Sequence, residues 1–115
     1  MSQQYRKIYW TDHSKLKMRQ YGISKTKVLS VLAKPDRREQ SIVPGTEAVM
    51  RTNILFSTAK IKKPSGEIWL MYQDIKNKGL RKIISAWRYP GISKPGEEIP
   101  IPEEIRRELI NNGIQ

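Results

Sequence analysis

The chain contains no cysteine, and histidine and phenylalanine occur once each. Without thiols there is no disulfide, no thiolate zinc site and no cysteine nucleophile. A single imidazole is also a poor start for a zinc centre, which takes nitrogen and sulfur ligands. No metal and no cofactor is therefore expected. No stretch approaches the ~18 consecutive apolar residues of a membrane-spanning helix. The opening "MSQQYRKIYW" lacks the apolar core of a secretory signal. A glycine-rich phosphate loop and a nucleophile elbow are both missing. The expectation is a cytoplasmic protein with no membrane partner.

What is present is positive charge. Lysine and arginine number 22 against 11 acids, a net charge of +11 over 115 residues. The distribution is uneven. Residues 91–115 hold Lys94, Arg106 and Arg107 against five glutamates, a net of −2, so residues 1–90 carry +13. A field of that density attracts phosphate backbones and releases their counterions. The length suits one modest core.

Local patterns predict an α+β fold. "RKIYW" (residues 6–10) predicts a short strand, and Thr11 or Asp12 then caps a helix to about Tyr21, closed by Gly22. His13, Leu16, Lys17 and Gln20 share one face of it at ~100° per residue. Ser24 caps a second helix, which buries Val28, Val31 and Leu32, is stapled by Ile23 and stops before Pro35. From Arg37 the period becomes two. Strands are predicted in "RREQSIV", "TEAVMRTNILF" and "EIWLMYQDI", with "KKPSGE" as a hairpin turn set by Pro64 and Gly66. Leu80–Tyr89 is the last strand and is apolar on both faces, as a strand covered on both sides would be. Strict alternation puts Arg81, Ile83, Ser85 and Trp87 together. Then "PGISKPGEEIPIP", with four prolines, leads to a short helix from Pro102 to a cap at Gly113. The division is a domain over 1–90 and an extended tail with a short helix over 91–115, the latter a clamp on its own domain or on a partner.

His13, Lys17, Met18, Gly22-Ile23-Ser24, Val28, Leu32 and Pro35-Asp36 resemble the opening of the small RelE/ParE-like toxin proteins. The likeness is to a branch beginning "H-x-x-x-R-M-x-x-R-G-I-S". "RKIISAWR" (81–88) resembles the "R-I-I-S-A-R" last strand of BrnT-type toxins. The resemblance implies two N-terminal helices packed on a four- to five-stranded, mainly antiparallel sheet. It differs at Lys17 and Tyr21, where the family has arginines. Trp87 likewise stands in place of the last-strand arginine, with Arg88 next to it. One step along a strand turns a side chain to the opposite face.

The resemblance also implies a toxin–antitoxin setting and a metal-independent ribonuclease, in which the ribose 2′-oxygen attacks phosphorus. Such a site needs proton transfer and cations for the phosphate oxygens. On that reading His13, Arg81 and Ser85 are catalytic. Lys15, Lys17, Arg19, Arg51, Trp87 and Arg88 bind nucleic acid, with Trp87 as a stacking platform. RNA, ribosome-associated or not, and an acidic antitoxin are the implied partners. Plainer roles stay open. His13 can pack against Tyr9 or Trp10, the tryptophans can be core, and Arg51 can pair with Asp74 or Glu47. The alternative function is a non-catalytic nucleic-acid- or ribosome-binding module on the same fold. A protein-binding adaptor is a third.

Overall fold

The computed structural model describes residues 7–56 and 62–112. In chain order these form β1 (Lys7–Trp10), α1 (Asp12–Tyr21), α2 (Lys25–Ala33), β2 (Arg37–Gln40), β3 (Glu47–Phe56), β4 (Lys62–Ile75), β5 (Leu80–Tyr89) and α3 (Glu103–Asn112). The fold is α+β, with three helices and one five-stranded mixed sheet ordered β1-β5-β4-β3-β2. All pairings are antiparallel except β1 with β5.

The helix ends follow the sequence signals. Thr11 accepts a bond from the Ser14 amide and donates its hydroxyl to the Ile83 carbonyl at 2.7 Å. One side chain thus caps α1 and fastens it to β5. Gly22 closes α1 in the left-handed region at φ 65, which costs glycine nothing. Ser24 caps α2 through the Lys27 amide. Ile23, Val28 and Val31 are buried and Leu32 packs against them.

Two expectations are corrected. The buried side of α1 is Ser14, Lys17 and Met18, and Leu16 is 53% exposed. Small Ser14 lets the helix lie close to β5, so the contact face is rotated away from the one predicted. "KKPSGE" is not a turn, because β4 already runs through it with Lys62, Lys63 and Pro64 paired to Phe56, Leu55 and Ile54. The β3–β4 connection falls in residues 57–61, outside the described residues, as does the cap expected at Gly113. Gly66 has another task. Its φ is +93, and a Cβ there would collide with the Tyr89 carbonyl.

One irregularity decides where the last strand's side chains go. Met71 pairs with Ser85 but Tyr72 pairs with Ile83, so Ile84 is an extra residue. Such a bulge shifts the alternation by one. Ile83 and Ala86 join Val28, Val31, Ile68 and Tyr72 under the helices. Ile84 and Trp87 join Met50, Trp69 and Met71 on the other face. That second face is covered by the tail through Ile99, Ile101, Ile105 and Leu109. Residues 91–102 lack regular structure, and the Pro102 carbonyl accepts the first bond of α3 from Arg106.

A buried polar knot pins the tail. Glu67 is 1% exposed and accepts bonds from the Ser93 amide, the Ser93 hydroxyl and the Trp69 indole. Arg37 donates to Ser93 Oγ at 2.6 Å, to Glu39 and to the Glu97 carbonyl. Every buried charge here has a partner, which a buried charge requires.

Candidate functional site

The N-terminal turn of α1, the bulged part of β5 and α3 converge on His13. Its Nε2 lies 3.0 Å from Ser85 Oγ, and its Nδ1 lies 3.5 Å from Glu108 Oε2. With a carboxylate at Nδ1, the consistent arrangement has Nδ1–H facing Glu108 and Nε2 accepting the Ser85 hydroxyl proton. One turn on, Lys17 Nζ stands 2.8 Å from Glu108 Oε1 and 3.9 Å from Glu104 Oε2, and donates to Gln20. Gln20 and Tyr21 both donate to Glu104. The acidic face of α3 thus lies along one side of α1.

Electrostatics follow from this closure. Burial pushes the His13 imidazole below its ordinary value, Glu108 opposes that, and Lys17 adds to it. The ring is therefore uncharged at neutral pH. Hydrogen bonds from Gln20 and Tyr21, with the charge of Lys17, hold the Glu104 carboxyl below its usual range. Burial and Glu104 raise the Tyr21 phenol.

Serine, imidazole and carboxylate in sequence have the order of an acyl-transfer triad, but Ser85 is fully buried and in mid-strand. A nucleophile has to meet its substrate, and Ser85 meets only protein. Among the described residues there is no group of three or more metal-ligating side chains.

The structure brings together His13, Lys17 and Ser85 from the predicted site. It separates the rest. Arg81 lies on the helix-packed face, held by Asp74 through bonds of 2.7 and 2.9 Å, with its guanidinium 4.4 Å from the Tyr72 ring centroid. Asp74 pushes its pKa up. The expected common groove of Arg81, Ser85 and Trp87 does not form, because the extra residue Ile84 parts Arg81 from the other two. Trp87 is fully buried, parallel to Trp69 with centroids 6.2 Å apart, so no base can lie on it. Among the described residues, its indole N–H has no hydrogen-bond partner. Arg88 caps α1 by donating to the Tyr21 and Gly22 carbonyls. Arg51 donates to Ser30 of α2. Lys15 and Arg19 are exposed on the outer side of α1.

A second polar cluster escaped sequence reasoning. Tyr72 donates to Glu47, Arg38 donates to both, and burial with Glu47 pushes the phenol up to about 12. An open cleft of about 680 Å³ beside it is lined by Glu47, Tyr72, Asp74 and Lys76 among others. Its two carboxylates make it a poor place for an anion. Spacing in the sequence gave no signal for it, since Arg38, Glu47 and Tyr72 meet only through strand register.

No protein-family model, curated protein or solved structure matches the chain. Among the described residues, no helix is long and apolar enough to cross a membrane.

Proposed function

We propose that this chain is a RelE/ParE-like domain that binds RNA on its positively charged body and does not cut it. Support comes from the +13 carried by residues 1–90 and from two helices preceding an antiparallel meander. A cytoplasmic location goes with this reading. The observation that carries the non-catalytic part is the parting of Arg81 from His13. Phosphoryl chemistry without a metal needs cation and proton-transfer group around one phosphate. Here Arg81 holds Asp74 on one sheet face, while His13 and Ser85 meet on the other beneath Glu108.

The seam is part of the fold. Ile105 and Leu109, 0% and 4% exposed, bury α3 over the paired tryptophans. Each fully buried aliphatic side chain contributes roughly 1.5–3 kcal/mol. Lifting α3 would also uncover Trp69 and Trp87. An acidic antitoxin, if the chain has one, would find the Lys17 side of α1 already occupied by Glu104 and Glu108.

The test is a gel-shift and cleavage assay on labelled RNA across a salt series. Binding that weakens steeply with salt, with intact RNA throughout, supports the proposal. The second reading is the ribonuclease, favoured by the uncharged state of His13, which a general base needs. It predicts cleavage and bacterial growth arrest, both abolished in His13→Ala. Salt-insensitive or absent RNA binding would favour the adaptor.

A further inference from the structure

The tail covers only part of its sheet face. Its apolar cluster reaches Met71 and Ile84 and stops there. Beyond the bulge the same face continues across three strands. Ile8 and Trp10 of β1 pack under the helices, so Lys7 and Tyr9 alternate to the opposite face. The register sets Tyr9 beside Lys82 and Lys7 beside Leu80, and Lys82 beside Gln73. Tyr9 is 51% exposed although it sits in the middle of a strand. Lys7 is exposed, and Lys82 and Gln73 are half-buried. Lys76 and Lys78 stand exposed in the turn that ends the strip. Among the described residues, no acid occupies a strand position on it, since Asp74 alternates to the helix side with Arg81. Asp12, two residues past β1, is the nearest acid in sequence.

An aromatic face among cations is the arrangement that holds single-stranded nucleic acid: lysines follow the backbone and the ring takes an unstacked base. A duplex offers no such base, because its bases are stacked inside. We propose that Tyr9, flanked by Lys7 and Lys82, is the base-stacking platform for single-stranded RNA, on the open end of the tail-covered sheet face. This rests on the RNA-binding reading and supplies the platform that buried Trp87 cannot be. The ring stacks on one base, and Lys7 and Lys82 hold the flanking phosphates. Among the described residues, β1 is an edge strand of the sheet, so the RNA can cross it without meeting a further strand of these.

The test is fluorescence anisotropy of a labelled oligouridine 12-mer with the full chain, titrated at several salt concentrations. Tyr9→Ala and Tyr9→Leu are expected to weaken binding about 5- to 150-fold at unchanged salt slope. Tyr9→Phe keeps the affinity. Lys82→Gln is expected to lower the salt slope by about 0.7. Tyr9 is exposed, so circular dichroism melting of these variants should match the parent. Parent binding with Tyr9→Ala and Tyr9→Leu within twofold of it overturns the platform and leaves the RNA-binding reading standing. A preference for duplex over single strand also overturns the platform. No salt-sensitive binding by the parent chain overturns the RNA-binding reading itself.

Discussion

Arg81 and Ser85 sit on opposite faces of β5, although they are four positions apart and regular alternation would align them. The extra residue is Ile84, where the pairing with β4 shifts. Arg81→Ala is therefore expected to act on stability. It removes a bidentate pair with Asp74 and a cation–π contact with Tyr72, about 1.5–3 kcal/mol for bonds to charged groups. Urea midpoints measure this loss, and RNA affinity should fall by no more than one lost charge.

Lys17 is 4% exposed, and Glu108 is its nearest carboxylate. Glu108→Ala leaves a buried ammonium short of its best partner. Breaking a sealed pair costs about 3–5 kcal/mol. The Glu108 side chain is 34% exposed, so the expected loss is smaller, about 1–3 kcal/mol. Replacing both residues, as Lys17→Met with Glu108→Leu, should recover most of it, as read in thermal melts of the single and double variants.

Stability should fall as the solution is acidified, in two stages. The folded pKa of His13 lies below 6.5, so the unfolded chain takes the proton first. The contribution of His13 is whole above about pH 6.5 and is lost as pH falls from there toward the folded value. Glu104 is depressed below its ordinary 4.5, and its contribution disappears only below about that pH. His13→Gln should flatten the first stage and leave the second in place. Denaturant melts between pH 7.5 and 3.5 read both.

Ser93 donates to Glu67 and accepts from Arg37 inside the knot that pins the tail. Ser93→Ala removes both bonds at once and is expected to cost about 1–3 kcal/mol. Hydrogen exchange should show faster amides in α3 than in β4, because the knot fastens residues 91–98 and not the sheet. Equal loss of protection in both would mean that the tail and sheet unfold as one unit.

Much of the fold was legible. Thr11, Gly22, Ser24 and Pro35 act locally, through caps and forbidden backbone angles, so sequence alone locates α1 and α2. The two apolar faces of Leu80–Tyr89 correctly implied cover on both sides, and α3 supplies the second cover. The site was less legible because it depends on register. Nothing in "RKIISAW" marks Ile84 as the bulged residue, and that one insertion sends Arg81 away from Ser85. The meeting of His13 with Glu108, 95 positions apart in the numbering, was equally hidden. The net charge of −2 in residues 91–115 hinted at a basic counterpart and did not say which one. The sequence offers Tyr9 only as one of two neighbours, with Trp10, on which His13 can pack, since a short strand gives no sign of which face is left open.

The most direct measurement is the fate of end-labelled single-stranded RNA held with the protein at neutral pH and low salt, for the parent chain and for His13→Ala. The account predicts bound and intact RNA in both, with equal affinity. Cleavage by the parent that His13→Ala abolishes would contradict it, because His13 would then act on a phosphate from which Glu108 and the sheet are held to exclude it.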